Sequence, residues 1–98
     1  MVTLDGNVNI SLKNQFEKAV ASEIVHLRKK NGFTGKELAE YVGVSQQQIS
    51  RYESGISNIN VGTLAIILNT FGCTSEEFFK KVSTRMRKNE ERFLKSNR

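Results

Sequence analysis

Over residues 14–31 the large apolar side chains fall at Phe16, Val20, Ile24 and Leu27, the spacing of one buried face of an α-helix. Gly32 ends that pattern. A second, shorter one follows, with Leu38, Ala39 and Val42 as its apolar stripe. Thr34 stands before it as N-cap, and Glu37 three residues on completes a capping box, so a helix is predicted over 35–42. Gly43 suits the left-handed residue that closes such a helix, because it has no Cβ to clash there. Val44 fills the corner, Ser45 caps again, and a third helix is predicted over 46–54 with Ile49 as its one large aliphatic anchor. Past the loop 55–59, Asn60 caps a fourth helix over 61–71, whose inward residues should be Val61, Leu64, Ile67, Leu68 and Phe71. Gly72 stops it, and Thr74 with Glu77 opens a fifth helix carrying Phe78 and Phe79. Proline is absent and no stretch alternates like a strand, so the chain reads as all-α.

Two short helices joined by a tight turn containing Gly form a helix-turn-helix. Apart from Ile49, the second of them begins with Gln46, Gln47, Gln48, Ser50 and Arg51. A glutamine amide matches the paired N6/N7 edge of adenine, and an arginine fork matches the O6/N7 edge of guanine. Gln46 and Gln47 share a helical face with Ser50 and Arg51, three and four residues on. Such a helix can read bases in a groove of DNA. A plain solvated glutamine-rich surface helix is the alternative that these residues alone leave open.

The run L-R-K-K-N-G-F-T-G-K-E-L-A-E-Y-V-G-V-S-Q-Q-Q-I-S-R-Y-E-S-G resembles the Cro/C1 (XRE) family of helix-turn-helix DNA-binding domains, and the likeness continues through N-I-N-V-G-T-L to F-G-C-T-S-E-E-F-F, over residues 17–80. The string S-Q-Q-Q-I-S-R-Y-E is similar to the MrpJ-type regulators of bacterial fimbrial operons. The resemblance implies a five-helix lambda-repressor-like DNA-binding domain over 14–82, with a short N-terminal arm over 1–13 and a basic helical extension over 83–98. It also implies base readout by Gln46, Gln47 and Arg51, with Ser50 on a base or a phosphate. Contacts to the DNA backbone are implied for Thr34, Gly35, Lys36, Ser45, Gln48, Ser57, Asn58 and Asn60. Tyr52 either joins them or lines the core. Arg28 and Glu53 stand where the family pairs helix one with the end of helix three, a structural ion pair.

Two positions depart from the family. Gly35 replaces the glutamine that grips a phosphate at the start of helix two, leaving backbone N–H groups and Lys36 for that task. The loop I-S-N-I-N over 56–60 lacks the usual basic residues. Both departures imply weak backbone affinity for the body alone, and a larger share for Lys and Arg of the tail.

Charge changes the picture at the C-terminal end. The chain carries 15 Lys+Arg against 10 Asp+Glu, yet eight of those cations and only two of the acids lie from Lys80 onward. Such asymmetry suggests a polyanionic partner, or simply a solvated helix. Arg28, Lys29, Lys30, Lys36 and Arg51 could add a local positive patch to a nearly neutral body. The tail also threads apolar residues on one face. Packing against a second chain is therefore expected through Ile66, Phe79, Val82, Met86 and Phe93, with help from the arm over 2–12. The alternative is that Phe79 and Val82 complete their own core. Deleting 84–98 should lower DNA affinity or abolish dimers. Dimerisation also follows from reach, since one helix reads only a few base pairs.

The remaining chemistry is sparse. Cys73, the one cysteine, excludes an internal disulfide, fits a reducing cytoplasm and reads as a packing residue. His26 has no partner in sequence that would make it a general base. No Cys or His set has metal-ligand spacing and no glycine-rich phosphate loop occurs, so neither catalysis, a metal nor a cofactor is expected. No apolar run is long enough for a membrane span, and no signal-peptide pattern follows Met1. The partners expected are duplex operator or promoter DNA and a second copy of the chain, with no membrane and no small-molecule ligand, in the bacterial cytoplasm on the nucleoid. The function read from all this is a sequence-specific, dimeric transcriptional regulator that switches between fimbrial adherence and flagellar motility genes. The alternative is an antitoxin-like or other protein-interaction module on the same fold.

Overall fold

The computed structural model describes the backbone of residues 6–96 and the side chains of residues 9–89. Within that span lie five α-helices and no strand: α1 (Gly6–Lys30), α2 (Gly35–Val42), α3 (Gln46–Ser54), α4 (Val61–Thr70) and α5 (Ser75–Ser96). Each helix sends at least one side chain into a common core. Ile24, Leu38, Ile49, Ile67, Phe78 and Val82 are fully enclosed, with Ala19, Val20, Leu27, Ala39, Leu64 and Leu68 around them. Burying an aliphatic side chain of this size stabilises by about 1.5–3 kcal/mol, so even nine-residue α3 is held firmly through Ile49.

The predicted caps form as geometry. Thr34 Oγ1 accepts from Glu37 N–H at 3.0 Å while Glu37 Oε1 accepts from Thr34 N–H at 2.9 Å. Ser45 Oγ accepts from Gln48 N–H at 3.0 Å, and Asn60 Oδ1 from Thr63 N–H at 2.8 Å. Gly43 lies at φ 81°, and its N–H and that of Val44 both donate to Ala39 O at 2.9 and 3.1 Å. That left-handed residue reverses the chain between α2 and α3 within three residues.

Several expectations need correction. α1 starts at Gly6, so most of the segment expected as an arm forms its first turns; residues 1–5 lie outside the described residues. No proline interrupts 6–13, and side-chain pairs one turn apart support the helix: Gln15 Nε2 donates to Ser11 Oγ at 3.2 Å, and Lys13 meets Glu17 at 3.1 Å. α5 likewise runs unbroken through 82–83. Phe16 is not buried but 41% exposed, stacked on Phe79 with ring centroids 6.1 Å apart. Val61 is 81% exposed. It lies one turn before buried Leu64, at the first residue of α4, where it edges a groove with Phe16, Ile59 and Phe79.

The residues expected at a dimer contact divide. Val82 is enclosed by its own chain and has no surface to offer a second one. Met86 packs against the same core. Ile66 and Phe79 keep 46% and 36% of their surface exposed. Phe93 lies outside the residues whose side chains are described, as do Leu94 and Val2.

Candidate nucleic-acid interface

Ser45 has an extended backbone (φ −72°, ψ 155°), so the chain comes to α3 nearly straight and turns abruptly into the helix. Burial of Ile49 then fixes which side faces inward. Tyr52, one turn nearer the C-terminus, is half-buried and packs against the core. With that side committed, Gln46, Gln47, Ser50 and Arg51 are all exposed on the outward surface, and Gln48 is half-buried at its margin. The four residues expected to read bases therefore share one open face.

The pitch of α3 is set by Arg28. Its Nε donates to Glu53 Oε2 at 2.6 Å, its Nη2 to Glu53 Oε1 at 3.0 Å and its Nη1 to the Phe33 carbonyl at 2.9 Å. One guanidinium thus joins the end of α1, the end of α3 and the residue before the α2 cap. The side chains keep only 15% and 13% of their surface exposed. The hydrogen bonds to Glu53 hold the Arg28 guanidinium above its ordinary pKa, against the opposing effect of burial. The Phe33 contact adds a third element to the pair read from sequence. It also withdraws Arg28 from the positive patch expected on this side.

Backbone-contact candidates are arranged unequally. The N–H groups of Thr34 and Glu37 are occupied by the capping box, which places the Glu37 carboxylate at the start of α2. Hydrogen bonds from the Thr34 N–H and hydroxyl lower its pKa. Gly35 and Lys36 are left as that turn's donors toward a phosphate, with the Lys36 side chain exposed. Ser45 and Asn60 spend an acceptor on capping; Asn58 is exposed and Ser57 half-buried in the loop after α3.

Among the described residues, four cations of α5 lie away from this surface. Lys80, Lys81, Arg85 and Lys88 line an open groove of about 740 Å³ against Glu23 and His26 of α1. His26 and Arg28 lie about 200° apart around α1 at 3.6 residues per turn, so groove and recognition helix occupy opposite flanks of it. Sequence reasoning missed the residue that organises the groove. Glu23 is 2% exposed, and its Oε1 accepts from Arg85 Nε at 2.8 Å. The available signal was position: Glu23 stands one turn from both Ala19 and Leu27, on the buried face.

Cys73 is half-buried beside the core, and that burial pushes its thiol pKa up. Among the described residues no three His, Cys, Asp or Glu side chains gather as a metal site, and no helix is long and apolar enough to cross a membrane.

Comparison with known proteins agrees with this geometry. The family described as "Helix-turn-helix" matches residues 24–78, more than half of the chain. An uncharacterised HTH-type transcriptional regulator of Rickettsia conorii is 30% identical over 66 residues, covering 67% of this chain and 53% of the relative. A second, from Rickettsia prowazekii, is also 30% identical, so the chain spans about half the length of these two relatives. The prophage-derived HTH-type regulator YotL of Bacillus subtilis is 33% identical over 69 residues, covering 69% of this chain and 85% of YotL. Among solved structures, the clp gene regulator ClgR of Corynebacterium glutamicum superposes with a TM-score of 0.80 at 21% identity, over 84% of this chain and 87% of that one. A tyrosine-to-phenylalanine mutant of the restriction-modification controller protein C.Esp1396I gives 0.69 at 22%, over 74% and 92%. These likenesses give the fold, the five-helix lambda-repressor-like arrangement. By its matched residues and by the helix pair at their centre, the chain belongs to the helix-turn-helix family of Cro/C1 (XRE) type.

Proposed function

We propose that this chain is a sequence-specific DNA-binding transcriptional regulator, not an enzyme, which inserts α3 into the major groove of duplex operator DNA. One observation carries the reading: Gln46, Gln47, Ser50 and Arg51 stand exposed on a helix whose other side is locked by Ile49 and by the Arg28–Glu53 pair. Preorganisation matters because a base-reading side chain must meet a fixed edge at hydrogen-bond distance. Lys36, the N–H groups of Gly35 and Lys36, and the loop residues Ser57 and Asn58 hold the phosphates that flank the groove.

The regulator acts as a homodimer, with two α3 helices reading half-sites about one turn of DNA apart. Exposed Ile66 and Phe79 are the parts of the expected contact that remain available to a second chain. Its context is the switch between fimbrial adherence and flagellar motility, a reading supported by the likeness of residues 45–53 to MrpJ-type regulators. Selection of bound duplexes from random DNA, followed by footprinting, tests these statements together. Two related half-sites at one-turn spacing are expected; uniform, sequence-independent protection would refute the reading. An antitoxin-like protein-binding role has no need for two glutamines and an arginine on one open helix face.

A further inference from the structure

The α1–α5 groove is charged, concave and unused by the DNA reading. Its α5 wall carries Lys80, Lys81, Thr84, Arg85 and Lys88, and its floor holds the buried Glu23 carboxylate. Glu23 binds Arg85 through Nε, so the remaining guanidinium edge is oriented while it lines the groove. A guanidinium held through Nε by a buried carboxylate is preorganised to take a second carboxylate end-on, through its two Nη groups, without losing the rotamer freedom a loose arginine would lose. Lys81 and Lys88, two turns apart on one face, extend the positive strip in line with it.

From this we propose that the α1–α5 groove is a docking site for an acidic peptide segment of a partner protein, open while α3 is engaged with DNA. Two features favour a peptide over nucleic acid. The groove lies on the flank of α1 opposite Arg28 and α3, so the duplex that α3 grips does not reach it. Its roughly 740 Å³ lies between two helices and suits one chain segment, whereas a duplex is too wide to enter. The groove is also separate from the proposed dimer contact, because Phe79 and Lys81 lie about 200° apart around α5.

Fluorescence anisotropy with the full chain and a short labelled peptide rich in Glu and Asp tests this directly. Binding is expected, and an amide counterpart of the peptide, with Gln and Asn replacing the acids, should not bind. Lys81→Glu/Lys88→Glu should weaken the acidic peptide by about tenfold or more, since each reversal trades a screened attraction for a repulsion. Both lysines are exposed, so the fold should persist by thermal melting. Lys13→Glu/Lys18→Glu makes the same change in net charge elsewhere and should leave binding within about twofold, the scatter of a screened surface effect. Equal weakening by both pairs, or no binding at all, overturns the proposal. Repeating the titration with saturating selected duplex should leave the peptide bound; its displacement also overturns the proposal, because the groove would then be DNA surface. Simultaneous occupancy alone rests on the α3 reading. The first titration contains no DNA, so failure of that reading in α3 variants is distinguishable from failure here.

Discussion

Arg28 meets Glu53 side-on, through hydrogen bonds of 2.6 and 3.0 Å, and uses its third nitrogen on the Phe33 carbonyl at 2.9 Å. The angle at which α3 leaves the domain is therefore fixed by three elements converging on one guanidinium. Removing either partner strands a largely buried charge. Arg28→Met or Glu53→Gln should each cost about 3 kcal/mol, at the low end for a buried pair because some surface remains exposed. The double variant Arg28→Met/Glu53→Leu should cost less than the two single changes added together. Urea denaturation of all four proteins gives the coupling directly; strict additivity would mean the pair does not act as a unit.

The α2 cap has a pH signature. Glu37 has its pKa lowered by Thr34, so its contribution is present above the ordinary carboxylate value of 4.5 and is lost as pH falls through the depressed folded value. The difference in urea midpoint between the parent and Glu37→Gln should accordingly be largest near neutrality and vanish in acid. Thr34→Ala, which removes the hydroxyl half of the box, should cost about 1 kcal/mol in the same assay.

Gly43 isolates a backbone effect. A Cβ placed there meets nothing within 4 Å, so the whole penalty of substitution comes from φ 81°. Gly43→Ala should cost about 1–2 kcal/mol, and Gly43→Asn should recover part of it because asparagine tolerates the left-handed region. Equal stability of all three by thermal unfolding would argue against a strained turn.

Inside and outside of α3 should separate cleanly. Ile49→Ala removes buried aliphatic volume and should cost about 2–5 kcal/mol of stability. Gln47→Ala lies on the exposed side and should change stability by no more than about 0.5 kcal/mol. Calorimetry on the two variants distinguishes the faces without any DNA.

Truncating α5 is a poor probe of its charge. The segment 84–98 includes Arg85, the partner of buried Glu23, and Met86, which packs on the core, so its removal destabilises the body as well as discharging it. Lost DNA affinity after that deletion cannot be attributed to the tail's cations, whereas substitutions at exposed Lys81 and Lys88 change charge alone.

What sequence made legible here is local. Thr34, Ser45 and Asn60 cap their own helices through hydrogen bonds three residues long, and Gly43 turns the chain at its own dihedral angle, so each signal sits beside its effect. The open face of α3 was legible for the same reason, because one aliphatic residue in nine decides which side turns inward. The features that escaped depend on where distant segments meet. Glu23 and Arg85 are 62 positions apart and neither announces the other. Val61 has the right periodicity for burial, yet it is exposed at the first residue of α4. Val82 read equally well as interface or core until the packing of α5 on α1 decided it.

The most direct test of the central claim compares parent, Gln47→Ala and Arg51→Ala for binding to a duplex selected by the parent, each with its unfolding midpoint recorded. Each variant should lose about 1–3 kcal/mol of binding free energy for that duplex, with preference relaxed at one base position and stability unchanged. Undiminished affinity and unaltered preference in both variants would contradict the assignment of α3 as the helix that reads DNA.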